Sequence, residues 1–143
     1  MRALTLKAAN EILSGSLERA GLLGYRPMAV AVVDAGGHIV SAQRQDGASM
    51  FRVDIARGKA WAAVAMGVNS RELVQRAKDQ SHFFTALAAV GEGKFVPQTG
   101  GVLIRNPDGE IIGAVGASGG TGDEDEEICV HGIEAARLAT KST

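Results

Sequence analysis

The segment Asn106-Pro107-Asp108-Gly109 restricts the fold of this chain more than any other, because it separates two short apolar runs. Proline presets the backbone for the second position of a β-turn, and Asp-Gly supplies the residues that such turns favour. We therefore predict a β-hairpin formed by residues 101–105 and 110–117.

A second hairpin is predicted nearer the N-terminus. Residues 27–33 form a short apolar run rich in valine, and residues 38–44 alternate between apolar and polar side chains. The intervening sequence Asp34-Ala35-Gly36-Gly37 is typical of the turn between two antiparallel strands. The first strand is expected to be the more buried of the pair.

Apolar residues at helical spacing predict helices in the remaining segments. The first spans 5–21 with Thr5 as N-cap, and another spans about 48–66, with Phe51, Ile55, Ala62 and Met66 on one face and Gly67 at its end. Helical turns follow between 69 and 90, and a last helix reaches about residue 139, with a capping box of Thr121 and Glu124 at its start. Its inward face is predicted to carry Ile128, Cys129, Gly132, Ala135, Ala136 and Ala139.

These elements predict one α+β domain covering residues 1–143, in the order helix, hairpin, helices, hairpin, helix. Two hairpins separated by helices favour an antiparallel sheet backed by helices, since parallel strands would need a crossover after each strand. Residues 91–98 are loop-like, with room for a short edge strand. Pro97 limits that strand because it cannot donate to a ladder.

Composition excludes several classes of protein. A formal net charge of −1 argues against a nucleic-acid-binding protein, and no run of 18 apolar residues predicts a membrane span. The single Cys129 cannot form an intrachain disulfide, and the N-terminus lacks the apolar stretch of a secretory signal. We therefore expect a cytoplasmic protein without nucleic-acid or membrane partners.

Charge is unevenly distributed along the chain. Residues 44–78 contain seven basic and three acidic side chains, whereas residues 123–127 are all acidic. The acidic run either complements the dipole of the last helix, binds a cation, or contacts a basic surface, within the chain or on another copy in an oligomer. This asymmetry supports one hypothesis, an assembly protein that binds no ligand.

A few residues are candidates for binding or catalysis. Lys59 lies beside an apolar helical face, where it either extends its amine to solvent or lines a pocket. His38, His82 and His131 are candidate metal ligands, although none has a second histidine at ligand spacing. Cys129 falls on a buried helical face, and no nucleophile elbow is present.

Several segments together resemble the GlcG/HbpS-like haem-binding family, also called haem-degrading domains. The matching stretches are 32–37 (VVDAGG), 44–48 (RQDGA), 55–60 (IARGKA), 99–102 (TGGV) and 112–120 (IGAVGASGG), followed by Asp125 and Glu126. The resemblance implies a profilin-like α/β fold with a central antiparallel sheet of about five strands, and dimers or larger oligomers. It also implies a shared surface made of Asp34, Asp46, Lys59, Gly100, Gly101, Ser118, Gly119, Gly120, Asp125 and Glu126.

The first functional hypothesis follows from this resemblance. The protein would be a homo-oligomer that binds haem or a related carboxylate-bearing ligand in a cleft between protomers. Lys59 would hold a carboxylate, Asp46 and the glycine turns at 100–101 and 118–120 would line the cleft, and His38, His82 or His131 would ligate iron. Asp125 and Glu126 are further candidate metal ligands.

An alternative hypothesis is an enzyme, or an accessory protein, that acts on a small organic acid or an aromatic catabolite. Lys59 and Asp46 would then act as acid and base or orient a carboxylate. The sequence leaves open whether any reaction is catalysed.

Overall fold

The computed structural model describes residues 1–141 of the 143. Five helices and four strands follow one another, with a short 3₁₀ turn at Ser70–Glu72 before the third helix. The helices are α1 (Leu6–Leu22), α2 (Phe51–Met66), α3 (Leu73–Asp79), α4 (Ser81–Val90) and α5 (Gly122–Ala135). The strands are β1 (Ala29–Asp34), β2 (Ile39–Arg44), β3 (Gly101–Arg105) and β4 (Ile111–Ser118).

The four strands form one antiparallel sheet in the order β2-β1-β4-β3. Both predicted hairpins are confirmed, and so is the α+β class. The expectation of about five strands is wrong, because the segment before β3 forms no additional strand. Pro97 has no N–H to donate, and the N–H of Val96 bonds to the carbonyl of Gly58 in α2 instead, at 3.2 Å.

Helices cover both faces of the sheet and give three layers. Val30 and Val32 of β1 pack with α1 and α5 in the larger core cluster. Val33, on the opposite face of the same strand, packs with Ala60 and Ala63 of α2. The period-two alternation of β1 thus fills two cores, and this is why the strand is apolar throughout.

The face of α2 that packs on the sheet differs from the predicted one. Ala56, Ala60 and Ala63 are fully buried, whereas Phe51 is 66% exposed. The reason is the close approach of helix and strand at Gly116, where an added Cβ would lie 2.0 Å from the carbonyl oxygen of Ala56. Only small side chains fit such a contact.

The last helix is shorter than predicted, although its capping box is confirmed. It ends at Ala135, and the chain then bends so that Ala139 exchanges two backbone hydrogen bonds with Arg105 at 2.8 and 3.0 Å. These residues therefore cover the outer edge of β3 instead of extending the helix. Ile133, which was not predicted to be buried, belongs to the core, while Ala135 is exposed.

The third and fourth helices form a small separate cluster beside α2. Leu73, Phe84 and Phe95 pack there with Ala62 of α2. No helix within residues 1–141 is both long enough and apolar enough to cross a membrane.

The helix–strand contact at Gly116 gives a test of the packing. We expect Gly116→Ala to lower the free energy of unfolding by about 1–3 kcal/mol, because its methyl group would overlap the α2 backbone. Gly21→Ala is the matched control, because nothing lies within 4 Å of an added Cβ there. Urea unfolding followed by circular dichroism measures both, and equal stabilities would contradict the described packing.

Candidate functional site

A buried ion pair joins α2 to α5. Lys59 is 5% exposed and Asp125 is 2% exposed. The Lys59 ammonium donates to the Oδ2 atom of Asp125 at 2.9 Å and to the carbonyl of Ala117 at 3.0 Å. One side chain therefore connects the middle of α2, the end of β4 and the first turn of α5.

Two consecutive glycines make room for the lysine. A Cβ on Gly100 would lie 3.0 Å from both Cδ and Nζ of Lys59, and one on Gly101 would lie 2.3 Å from the Lys59 carbonyl oxygen. Gly100 also has a φ of +132°, which disfavours other residues. The glycine turn at 100–101 thus contacts Lys59, but it presents no open surface at Gly101.

Asp125 also fixes the second glycine turn. Its Oδ1 atom accepts from the N–H of Gly120 at 3.0 Å, so the 118–120 turn is held against the start of α5. Burial raises the pKa of the Asp125 carboxyl above its usual range, and the Lys59 ammonium and the Gly120 hydrogen bond only partly oppose that effect.

The N-terminus of α5 is occupied by its own side chains. Thr121 accepts from the N–H of Glu124 at 3.2 Å, and Glu124 accepts from the N–H of Thr121 at 3.0 Å. Together with the Asp125 contact to Gly120, these bonds use the N–H groups of Gly120, Thr121 and Glu124. The glycine-rich passage is therefore a structural turn followed by a capped helix.

The other acidic residues of the run also have partners within the chain. Asp123 and Glu126 both bind Arg71, and Glu127 binds Arg19 at 2.8 Å. Much of the charge asymmetry seen in the sequence is thus compensated inside one protomer. This finding weakens the hypothesis of an assembly protein that depends on charge.

A cleft of about 510 Å³ opens beside the ion pair. Its walls come from α2, from Val74 of α3, from the segment before β3 and from the start of α5. They consist of Arg52, Ile55, Lys59, Val74, Gln98, Thr99, Ser118, Gly120, Thr121, Gly122, Asp123 and Asp125.

Arg52 adds a second positive charge to this cleft, close enough to Asp125 for the two charges to attract each other. Its Nη1 atom donates to the Ser118 hydroxyl at 3.1 Å, and no carboxylate of residues 1–141 forms an ion pair with it. The charge of Lys59, in contrast, is balanced by Asp125. Sequence reasoning missed Arg52, although it precedes Ile55 by three residues and Lys59 by seven, the spacing of one helical face.

Other predicted site residues lie outside the cleft. Asp46 is exposed and borders a separate depression together with Tyr25 and Arg44, so it is not a partner of Lys59. Asp34 accepts from the N–H groups of Gly36 and His38 at 2.9 and 3.0 Å, which makes it a turn residue. Although partial burial opposes the effect, these bonds lower the pKa of the Asp34 carboxyl.

The three histidines are exposed and separate. His38 lies next to Asp34, His82 is in the first turn of α4, and His131 lies on the outer side of α5. Asp125 and Glu126 are already bound to Lys59 and Arg71. Within residues 1–141, no group of three or more His, Cys, Asp or Glu side chains could hold a metal ion.

Cys129 lies directly behind the site without opening into it. The thiol is fully buried and donates to the Gly100 carbonyl at 3.7 Å. Burial strongly raises the pKa of this thiol, so it stays protonated. The expectation of an inert buried cysteine agrees with this environment.

Fold and site together define a small α+β domain with a cleft of mixed charge at one end of its sheet. The family model of the haem-degrading HbpS-like proteins matches residues 4–134. The chain therefore belongs to that family.

Three known proteins show the extent of the similarity. The corrinoid adenosyltransferase PduO of Salmonella typhimurium is 31% identical over 138 residues, which are 96% of this chain but only 40% of PduO. The crystal structure of the PduOC:heme complex superimposes with a TM-score of 0.85 at 31% identity, over 98% of this chain and 99% of that one. The crystal structure of a double mutant of Streptomyces reticuli HbpS superimposes with a TM-score of 0.79 at 29% identity. The match covers 94% of this chain and 87% of that one. This chain thus corresponds to about two fifths of the adenosyltransferase.

The buried ion pair can be tested by removing its charges singly and together. We expect Lys59→Met or Asp125→Asn to lower the free energy of unfolding at neutral pH by about 3–5 kcal/mol, because each leaves one buried charge unpaired. The double variant has neither charge and keeps an acceptor for the Gly120 N–H. Its loss of unfolding free energy should therefore be much smaller than the sum of the two single losses.

Urea unfolding of the unaltered protein, the two single variants and the double variant completes this double-mutant cycle. If a single variant fails to fold, recovery of folding in the double variant still supports the pair. Losses that simply add would contradict it.

Proposed function

We propose that this protein binds haem, or a related carboxylate-bearing ligand, in the cleft beside Lys59. The observation that carries the proposal is Arg52, which borders the cleft next to the buried lysine and has no ion-pair partner among the described residues 1–141. An arginine in this state favours a carboxylate, because its planar donors match two oxygens at once.

The chemistry of the walls suits such a ligand. Arg52 would bind the carboxylate, assisted by the Ser118 hydroxyl and by the one N–H of Lys59 that its two described hydrogen bonds leave. Ile55 and Val74 offer apolar surface for the rest of the ligand. Similarity to a domain crystallised with haem makes a tetrapyrrole the leading ligand. Haem, when bound, supplies a redox-active iron.

Two observations disfavour the enzyme hypothesis in its original form. Asp46 borders a different depression, so it cannot act with Lys59. The Lys59 amine is held by Asp125 and Ala117, which fixes it as a binding and structural group. The present proposal is therefore a binding protein, and we extend it to a cytoplasmic location because the lone cysteine is unpaired and buried.

The proposal includes a homo-oligomer. On α4, Phe83, Ala86 and Val90 are exposed at the spacing of one helical face, and only Phe84 of this helix is buried. The helix carries no Asp, Glu, Lys or Arg between Ser81 and Val90. A second copy of this chain is the proposed occupant, because two such uncharged stripes can bury each other without leaving a charge unpaired.

Removal of the cleft cation tests ligand binding. We expect Arg52→Ala to weaken haemin binding by about 10- to 100-fold, the loss associated with one hydrogen bond to a charged group. Arg2→Ala is the charge-matched control, because Arg2 is exposed and follows Met1, whose carbonyl accepts from Asn106 at the turn between β3 and β4. Haemin titration followed at the Soret band measures both, and equal affinities would overturn the assignment of the cleft.

A charged residue on α4 tests the oligomer. We expect Val90→Glu to shift the protein to a smaller species in light scattering after size exclusion, because a carboxylate would be buried in the interface. Leu22→Glu is the control, since Leu22 is about as exposed, at 81% against 79%, but lies at the end of α1. Retention of the larger species by Val90→Glu would exclude this interface.

A further inference from the structure

The side chains that could ligate a haem iron lie away from the cleft. Proteins use histidine, a cysteine thiolate, methionine or a tyrosine oxygen as axial ligands of haem iron. None of these residue types borders the cleft in the part of the chain that the structure describes. The walls therefore match the carboxylates of haem but not its metal.

The histidines are held on other surfaces. His38 belongs to the β1–β2 turn beside Asp34, and His131 borders a depression formed with Arg19 and Arg71. His82 begins α4 and is exposed. In one protomer, none of the three borders the cleft.

The sulfur atoms and the tyrosine are equally unsuited. Cys129 is fully buried and protonated, whereas iron binds a thiolate. Met28 is fully buried in the core, Met66 packs with the aromatic cluster, and Tyr25 borders the depression that contains Asp46. Met50 is 82% exposed before α2 and does not line the cleft.

The lysine amine cannot take the place of these ligands. The Lys59 ammonium donates to Asp125 and Ala117 and forms an ion pair with the Asp125 carboxylate. A charged ammonium has no lone pair to give to a metal.

From these placements we infer that the cleft selects a tetrapyrrole by its carboxylates and contributes no iron ligand. This inference rests on the proposed function. It means that an iron-free porphyrin is bound about as tightly as haem, and that bound haem keeps its iron open to external ligands. The ligand class is thus a planar, carboxylate-bearing macrocycle, whatever atom occupies its centre.

The test compares four probes on the full chain. Haemin and protoporphyrin IX should have dissociation constants within about threefold of each other, since iron adds no bond from the protein. Zinc protoporphyrin IX should agree with both. Haemin dimethyl ester, which lacks the carboxylates, should bind at least about tenfold more weakly, in line with the loss of charge-assisted bonds. Quenching of protein fluorescence measures all four dissociation constants by the same method.

Variants test the recognition of the carboxylates, and spectra test whether the protein supplies an iron ligand. Arg52→Ala should weaken the binding of haemin and of protoporphyrin IX by the same factor, and Arg2→Ala should change neither affinity. Bound ferric haemin should remain high-spin by electron paramagnetic resonance and should convert to low-spin when imidazole is added. This readout reports the iron ligands without relying on any activity.

Haemin binding at least about 30-fold tighter than protoporphyrin IX, a difference of about 2 kcal/mol, would overturn the inference. A low-spin spectrum that one of His38→Ala, His82→Ala or His131→Ala abolishes would do the same, and would identify a ligand from a second copy. In both cases the proposed carboxylate cleft survives. Failure of haemin and protoporphyrin IX alike to bind would overturn the proposed function itself.

Discussion

The contact between Lys59 and Asp125 holds together the three elements on which the site depends. Desolvation of two charges is costly, so such a pair is tolerated only when its geometry is good and its remaining hydrogen-bonding groups are satisfied. Here the ammonium also reaches Ala117 and the carboxylate also reaches Gly120. The pair thereby sets the distance between α2 and α5 at the end of β4. The cleft is the space left beside this contact.

The same pair decides which charge is available for binding. Because Asp125 balances Lys59, Arg52 is the cation of the cleft that forms no ion pair within residues 1–141. A single strong cation next to apolar Ile55 and Val74 suits an amphipathic ligand with few carboxylates. A highly charged ligand such as a polyphosphate would also face the carboxylates of Asp123 and Asp125.

Local sequence signals predicted the hairpins and the capped helix, because turn and capping chemistry depends on a few neighbouring residues. Two other features depend on tertiary packing, which local sequence signals do not report. The sheet-facing side of α2 follows from a close approach at Gly116, and the end of α5 follows from pairing between Ala139 and Arg105. Lys59 stood out as a cation beside an apolar face, but only the fold could reveal Asp125 as its partner and Arg52 as a neighbouring cation without an ion pair in residues 1–141.

The rim of the cleft is mechanically asymmetric. One side is the pair of elements cross-linked through Lys59. The other is the irregular segment at Gln98 and Thr99, which is held by the bond from the Ser70 hydroxyl to the Gln98 carbonyl at 2.6 Å and by packing of Thr99 beside Gly122. Widening of the opening to admit a flat molecule therefore costs less on the Ser70 side than on the α5 side.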